Sequence, residues 1–174
     1  MKNYFILHLI IMALGMGSLF SQETNTNLWG SATNDFQMSI SLESGKNDVR
    51  LASPIILMAR LRNSSSNRTV YISEFNQTIM DGSYTFSITS PSGSDISPKT
   101  NANGPLGGSG GNYAIGPGQI HEAKLDLSSV CKFETVGKYK IIVTKRVEDL
   151  SGSKPVVSPF SLVSNPLYIN VVSK

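Results

Sequence analysis

An all-β fold, an antiparallel sandwich of about seven strands, is what the sequence predicts, and three observations predict it. Apolar residues recur at every second position in seven short segments. The breaks between these segments are rich in Gly, Asn, Asp, Pro and Ser. Beyond the N-terminal apolar run, no stretch keeps a three-to-four spacing over ten residues.

The segments follow in order. In "FQMSISLE", Phe36, Met38, Ile40 and Leu42 share one face of an extended strand, with Gln37, Ser39 and Ser41 on the other. "PIILMARL", Pro54 to Leu61, begins apolar on both faces, as a central strand does, and Pro54 stands at its start, where a missing N–H is tolerated. "TVYISEF" (Thr69 to Phe75), "SYTFSITS" (Ser83 to Ser90), "QIHEAKLDL" (Gln119 to Leu127), "KYKIIVTKRV" (Lys138 to Val147) and "NPLYINVV" (Asn165 to Val172) repeat the pattern. The breaks "ESGKND", "NSSSNR", "MDGS", "PSGSD", "GPG" and "LSGSK" supply tight-turn chemistry. Seven strands so punctuated read as an immunoglobulin-like sandwich, with a closed barrel as the structural alternative. The predicted core is Phe36, Met38, Ile40, Leu57, Leu61, Phe86, Leu125, Tyr139, Ile141, Val143 and Ile169. Tyr139, two residues after Gly137 and near the start of the penultimate predicted strand, is placed either to hydrogen-bond the preceding corner or simply to fill the core.

One long connection stands out. Residues 91–118 hold eight glycines and four prolines, and "NYAI" within them is the one candidate for a short edge strand. The rest reads as a surface loop, since connections of that length inside a compact domain are otherwise rare. The candidate binding residues lie in it: Asn101, Asn103, Leu106, Asn112 and Tyr113.

The chain opens "MKNYFILHLIIMALGMGSLFSQETNTN", a short start carrying Lys2, an apolar run from Tyr4 to about Phe20, and then polar residues. This is the layout of a secretory signal peptide. The run contains His8, Gly15 and Gly17 and falls short of the roughly 20 residues of a membrane span. Cleavage is expected between Ser18 and Gln22, giving a signal peptide over 1–21 and a single domain over 22–174. No cysteine follows the run, which speaks against a lipoprotein anchor. Location is therefore expected to be periplasmic or secreted, and the single cysteine points to a bacterial source rather than a disulfide-dense eukaryotic domain. The formal charge of +3 falls to +2 once Lys2 is removed. Basic residues are spread out, and "KYKIIVTKR" reads as the polar face of a strand, so nucleic acid is not an expected partner.

Chemistry is sparse. A blue-copper site wants two histidines and a cysteine, and His121 is the only histidine after the apolar run. Zinc lacks ligands for the same reason. His121 with Asp126, or with Cys131, would be the remnant of a catalytic set, but "IHEAKLDL" places the histidine on a strand, and there is no Gly-x-Ser-x-Gly elbow. His121 is expected to be solvent-exposed. The acidic pairs Glu43 with Asp48 and Glu148 with Asp149 fall in turns, and no calcium-loop motif is present. Asn63, Asn67 and Asn76 head Asn-x-Ser/Thr triplets. No cofactor and no enzymatic activity are expected. Cys131 reads as a small buried side chain; if it were exposed, an oxidising compartment would permit a disulfide-linked dimer.

The quoted segments, together with "NLWGSATNDF", "NPLYINVV" and "IGPGQIHEAKLDLSSVCKFETVGKYKIIV", resemble a group of exported bacterial immunoglobulin-like domains of uncharacterised function, over roughly Trp29 to Val172. They resemble more loosely the bacterial intracellular proteinase inhibitors. Both resemblances speak for the fold rather than for an activity. The export signal, the seven period-two segments and the missing catalytic set lead to the expectation of a non-catalytic binding domain for a protein or glycan at the cell surface. A proteinase inhibitor acting through Asn101 to Gly118 or the "DLSGSKP" turn at Asp149 is the second reading, and a structural accessory domain is the third.

Overall fold

The computed structural model describes residues 29–75, 83–98, 110–148 and 159–173. Ten strands run through them: β1 (Phe36–Leu42), β2 (Asp48–Arg50), β3 (Ile56–Asn63), β4 (Val70–Phe75), β5 (Tyr84–Thr89), β6 (Gly110–Ile115), β7 (Ile120–Asp126), β8 (Gly137–Val147), β9 (Phe160–Val163) and β10 (Leu167–Val172). One 3-10 turn, Leu127–Ser129, follows β7. All seven predicted strands are present. Of the three additional ones, β6 contains "NYAI", while β2 and β9 are three and four residues long and too short to show a period.

Three strands make one sheet in the order β1-β3-β7, and a second runs β2-β10-β8-β5 with β9 also on β8. β4 and β6 form a separate ribbon. Pairing is antiparallel throughout except between β2 and β10, which run parallel. The alternating residues of all three layers meet in one cluster, from Phe36 and Leu61 of the first sheet through Ile88, Ile141 and Ile169 of the second to Val70, Ile72 and Ile115 of the ribbon. The chain is an immunoglobulin-like β-sandwich.

Ten of the eleven predicted core residues are buried; Ile40 is half-buried but still packs against the cluster, and its neighbour Ser39 on the other parity is buried. A second departure is Lys145. It sits on the inward parity of β8 and is 1% exposed, so "KYKIIVTKR" is a polar face at Lys138, Lys140 and Arg146 but not there. Its Nζ lies 4.1 Å above the Tyr84 ring and donates to Ser83 Oγ at 3.2 Å.

Three polar fastenings hold the sandwich ends. The Tyr139 hydroxyl donates to the Thr135 carbonyl at 2.8 Å and accepts from the Thr135 N–H at 3.3 Å, closing the corner before β8. Gly137 makes that corner possible: its φ is +132°, and a Cβ there would stand 2.8 Å from the Pro91 ring. Asn63, fully buried, donates its amide to the carbonyls of Arg68 (2.6 Å) and Ile115 (2.9 Å) and accepts from the N–H and hydroxyl of Ser65, using its whole bonding capacity. A glycan on that amide is therefore incompatible with the folded core, whereas Asn67 is exposed and Asn76 lies outside the described residues.

The third fastening joins the two ends of the described chain. Asn34 and Asp35, both at positive φ, turn Trp29–Thr33 back along β1 in a two-residue hairpin. The Gly30 N–H then donates to the Met38 carbonyl at 2.8 Å, and the Trp29 carbonyl accepts from Asn165 Nδ2 at 2.7 Å. A Cβ on Gly30 would fall 2.0 Å from the Val163 carbonyl oxygen, so only glycine fits.

Candidate functional site

The chemistry-bearing residues named from sequence do not converge. His121 and Asp126 lie on opposite faces of β7, since they are five positions apart on one strand. His121 is half-buried rather than exposed, because its ring packs on Tyr113 with centroids 4.7 Å apart. Asp126 accepts from the Ser128 N–H at 3.0 Å and so caps the 3-10 turn. Cys131 is 9% exposed and donates its thiol to the Ile96 carbonyl at 3.3 Å, and burial raises its pKa. Glu43 pairs with Lys124 and Asp48 accepts from Asn170 Nδ2, so each is engaged with a different partner, and Glu148 pairs with Arg146; Asp149 and the turn after it lie outside the described residues.

Of the predicted binding residues, Asn101, Asn103 and Leu106 lie outside the described residues. Asn112 and Tyr113 belong to β6, opposite Ser73 and Ile72 of β4. Residues 110–115 are thus a paired strand rather than an open loop, laddered to β4 from Ile115 opposite Val70 to Gly110 opposite Phe75. Tyr113 is 41% exposed and is the one member of the set seen to combine aromatic surface with solvent contact.

A different place has the shape of a binding site. At the opposite end of β3 and β7 from Tyr113, the segments Arg50–Ile55 and Ser128–Glu134 enclose a groove of about 500 Å³. Leu51, Ile55, Cys131, Phe133 and Val171 form its apolar floor; Arg50, Lys132 and Glu134 stand exposed on its rim. Its geometry follows from local sequence. Pro54 stops β3 from starting earlier, and Ala52 takes a left-handed φ of +63° that turns the chain away from β2. The two walls are stitched where Ser128 Oγ accepts from the Ile55 N–H at 2.6 Å and the Leu127 N–H donates to the Ile55 carbonyl at 2.9 Å. A smaller hollow of about 240 Å³ adjoins it, sharing Arg50, Ser53 and Pro54. Arg50 and Lys132 make no ion pair among the described residues, so both cations face solvent at the groove mouth. Sequence reasoning missed this site. "LASP" between two apolar segments was its only signal, and it reads as an ordinary turn.

An immunoglobulin-like domain with an end groove is the class that fold and site define. No protein-family model matches the chain, and no curated protein does. Similar solved structures include the CARDB domain of a Pyrococcus furiosus protein in complex with di-metal ions, at 12% identity and a TM-score of 0.41 over 79% of this chain and 88% of that one. The beta-glucosidase of Listeria innocua matches at 12% identity and a TM-score of 0.33, over 74% of this chain and 16% of the enzyme. The Pseudomonas fluorescens alkylpurine DNA glycosylase AlkC bound to DNA containing an abasic site analog matches at 10% identity and 0.32, over 75% and 30%. The chain thus spans less than a third of either enzyme. Among the described residues, no three His, Cys, Asp or Glu side chains are grouped to hold a metal ion, and no helix is long and apolar enough to cross a membrane.

Proposed function

We propose that the chain is an exported, non-catalytic binding domain that engages a protein or glycan partner at the cell envelope. The observation that supports this most is the end groove, whose apolar floor and charged rim have the anatomy of a small recognition surface. The N-terminal layout of basic start, apolar run and small residues supports export. Partner binding would desolvate Leu51 and Phe133 while Arg50 and Lys132 meet acidic groups on the ligand.

The test is capture from envelope extracts, run beside a glycan array, with the unaltered chain and with Ser53→Trp and Arg50→Glu. The first substitution fills the groove from its lip and the second reverses its rim charge. A partner retained by the unaltered chain and lost with both variants supports the reading. Equal capture by all three, or no ligand on either platform, overturns it.

A further inference from the structure

The edges of the two sheets are treated differently. The outer edge of β1 receives the Trp29–Thr33 hairpin through the Gly30 to Met38 bond. That of β5 is covered where the Ile96 N–H donates to the Ile88 carbonyl at 2.9 Å and the Ile88 N–H donates to Ser97 Oγ at 2.8 Å. β2 is only three residues long. β7 is seven residues long, and among the described residues nothing pairs with its outer edge. Open edges of that length are normally blocked or occupied.

The phase of the ladder says which groups that edge offers. The Asn63 N–H donates to the Gln119 carbonyl and the Leu127 N–H to the Ile55 carbonyl, so the odd-numbered residues of β7 bond β3. The N–H and C=O of Ile120, Glu122, Lys124 and Asp126 point the other way. On the outer face of the same edge stand Glu122 and Lys124, with side chains 49% and 66% exposed.

We propose that this edge takes the β7 of a second copy of the chain, antiparallel, about a twofold axis at Ala123. Only even-numbered residues can exchange hydrogen bonds across the seam, and this register sets Glu122 of each copy opposite Lys124 of the other. Moving the axis by one residue in either direction puts Glu122 or Lys124 opposite its own counterpart, and a parallel in-register seam does so for both; like charges directly opposed destabilise a ladder. Ala123 then meets itself as a non-hydrogen-bonded pair, where Cα atoms approach to about 4.5 Å and a methyl group fits. Arg60 and Glu43, already bonded to Glu122 and Lys124, extend the alternation of charge on both sides of the seam. The result is a continuous six-stranded sheet that leaves both end grooves outside the seam.

Sedimentation equilibrium of the full chain, with whatever N-terminal processing its host performs, tests this from about 1 μM to about 1 mM. A concentration-dependent dimer is expected. Glu122→Lys and Lys124→Glu should each weaken it roughly tenfold or more, because each sets like charges across the seam twice. An equimolar mixture of the two variants should recover the association as a mixed dimer, since the all-basic edge then faces the all-acidic one. If a variant does not fold, hydrogen exchange on the unaltered chain decides instead: the amides of Ile120, Glu122 and Lys124 should gain protection as concentration rises. A monomer across the range, a dimer indifferent to both variants, a mixture that does not recover, or exchange independent of concentration each overturns the proposal. A foreign extended peptide as the occupant of this edge would show as the first of these.

Discussion

Tyr139 carries more of the fold than its size suggests, because its hydroxyl both donates to and accepts from the backbone of Thr135. Tyr139→Phe keeps the packing against Phe133, at 5.0 Å between ring centroids, and removes only the hydroxyl's bonds to Thr135, including the one at 2.8 Å with the Thr135 Oγ1. Stability should fall by about 1–2 kcal/mol in urea titration with an unchanged m-value. Cys131 gives a pH-dependent expectation. Burial raises its pKa in the folded chain, so between the unfolded and folded values the unfolded chain has already lost a proton that the folded one keeps. Its contribution is complete below the unfolded value and is lost as pH climbs toward the folded one. Iodoacetamide should therefore label the native thiol much more slowly than the denatured one, with the native rate rising at alkaline pH, and non-reducing electrophoresis should show no cross-linked dimer. Equal labelling of native and denatured chains would contradict the burial. The corner role of Tyr139 was readable from "VGKYKIIV" because a glycine, a tyrosine and a parity are all local. The enclosure of Lys145 was not, because it depends on Tyr84 and Ser83, some sixty positions earlier in the chain.

At the scale of elements, the motifs that carried the resemblance become joints. Trp29–Gly30 meets Val163–Asn165, Asn63 ties the end of β3 to the start of β4 and the end of β6, and Asp126 and Ser128 shape the turn beside the groove. They therefore speak for architecture and are silent on ligand. Gly30→Ala tests the first joint. Its Cβ would collide with the Val163 carbonyl, and the chain's only tryptophan is next door, stacked under Arg62 at 4.6 Å. The variant should lose about 1–3 kcal/mol, and Trp29 emission should shift to the red as the hairpin lifts from β9. An unchanged spectrum would mean that the close approach is relieved elsewhere. The seven longer alternating strands were legible from period two alone, whereas β6, six residues reading "GGNYAI", showed only as the candidate "NYAI". β2 and β9 were not, because three or four residues carry too few repeats for a pattern and exist only by virtue of β10 and β8 beside them.

For the molecule as a whole, the core was legible and the groove was not, for one physical reason. A core residue announces itself by alternation within its own strand, whereas the groove is made by two connections, Arg50–Ile55 and Ser128–Glu134, brought together by a pairing across more than seventy positions. Such long-range closure governs how quickly the fold forms. β10 is the strand on which this weighs most, since it lies between β2 and β8 and supplies the inner residues Leu167, Ile169 and Val171. Refolding from urea is expected in milliseconds to seconds, the range of non-local β-sandwiches, and stopped-flow tryptophan fluorescence would check it. A microsecond phase carrying most of the amplitude would contradict that assignment. On a ribosome the same arrangement imposes a waiting time. The Trp29 hairpin emerges early, yet its partner Asn165 stands 136 positions later. The nascent domain can collapse but cannot close this joint until Asn165 has been made, so its first hairpin waits on one of its last strands.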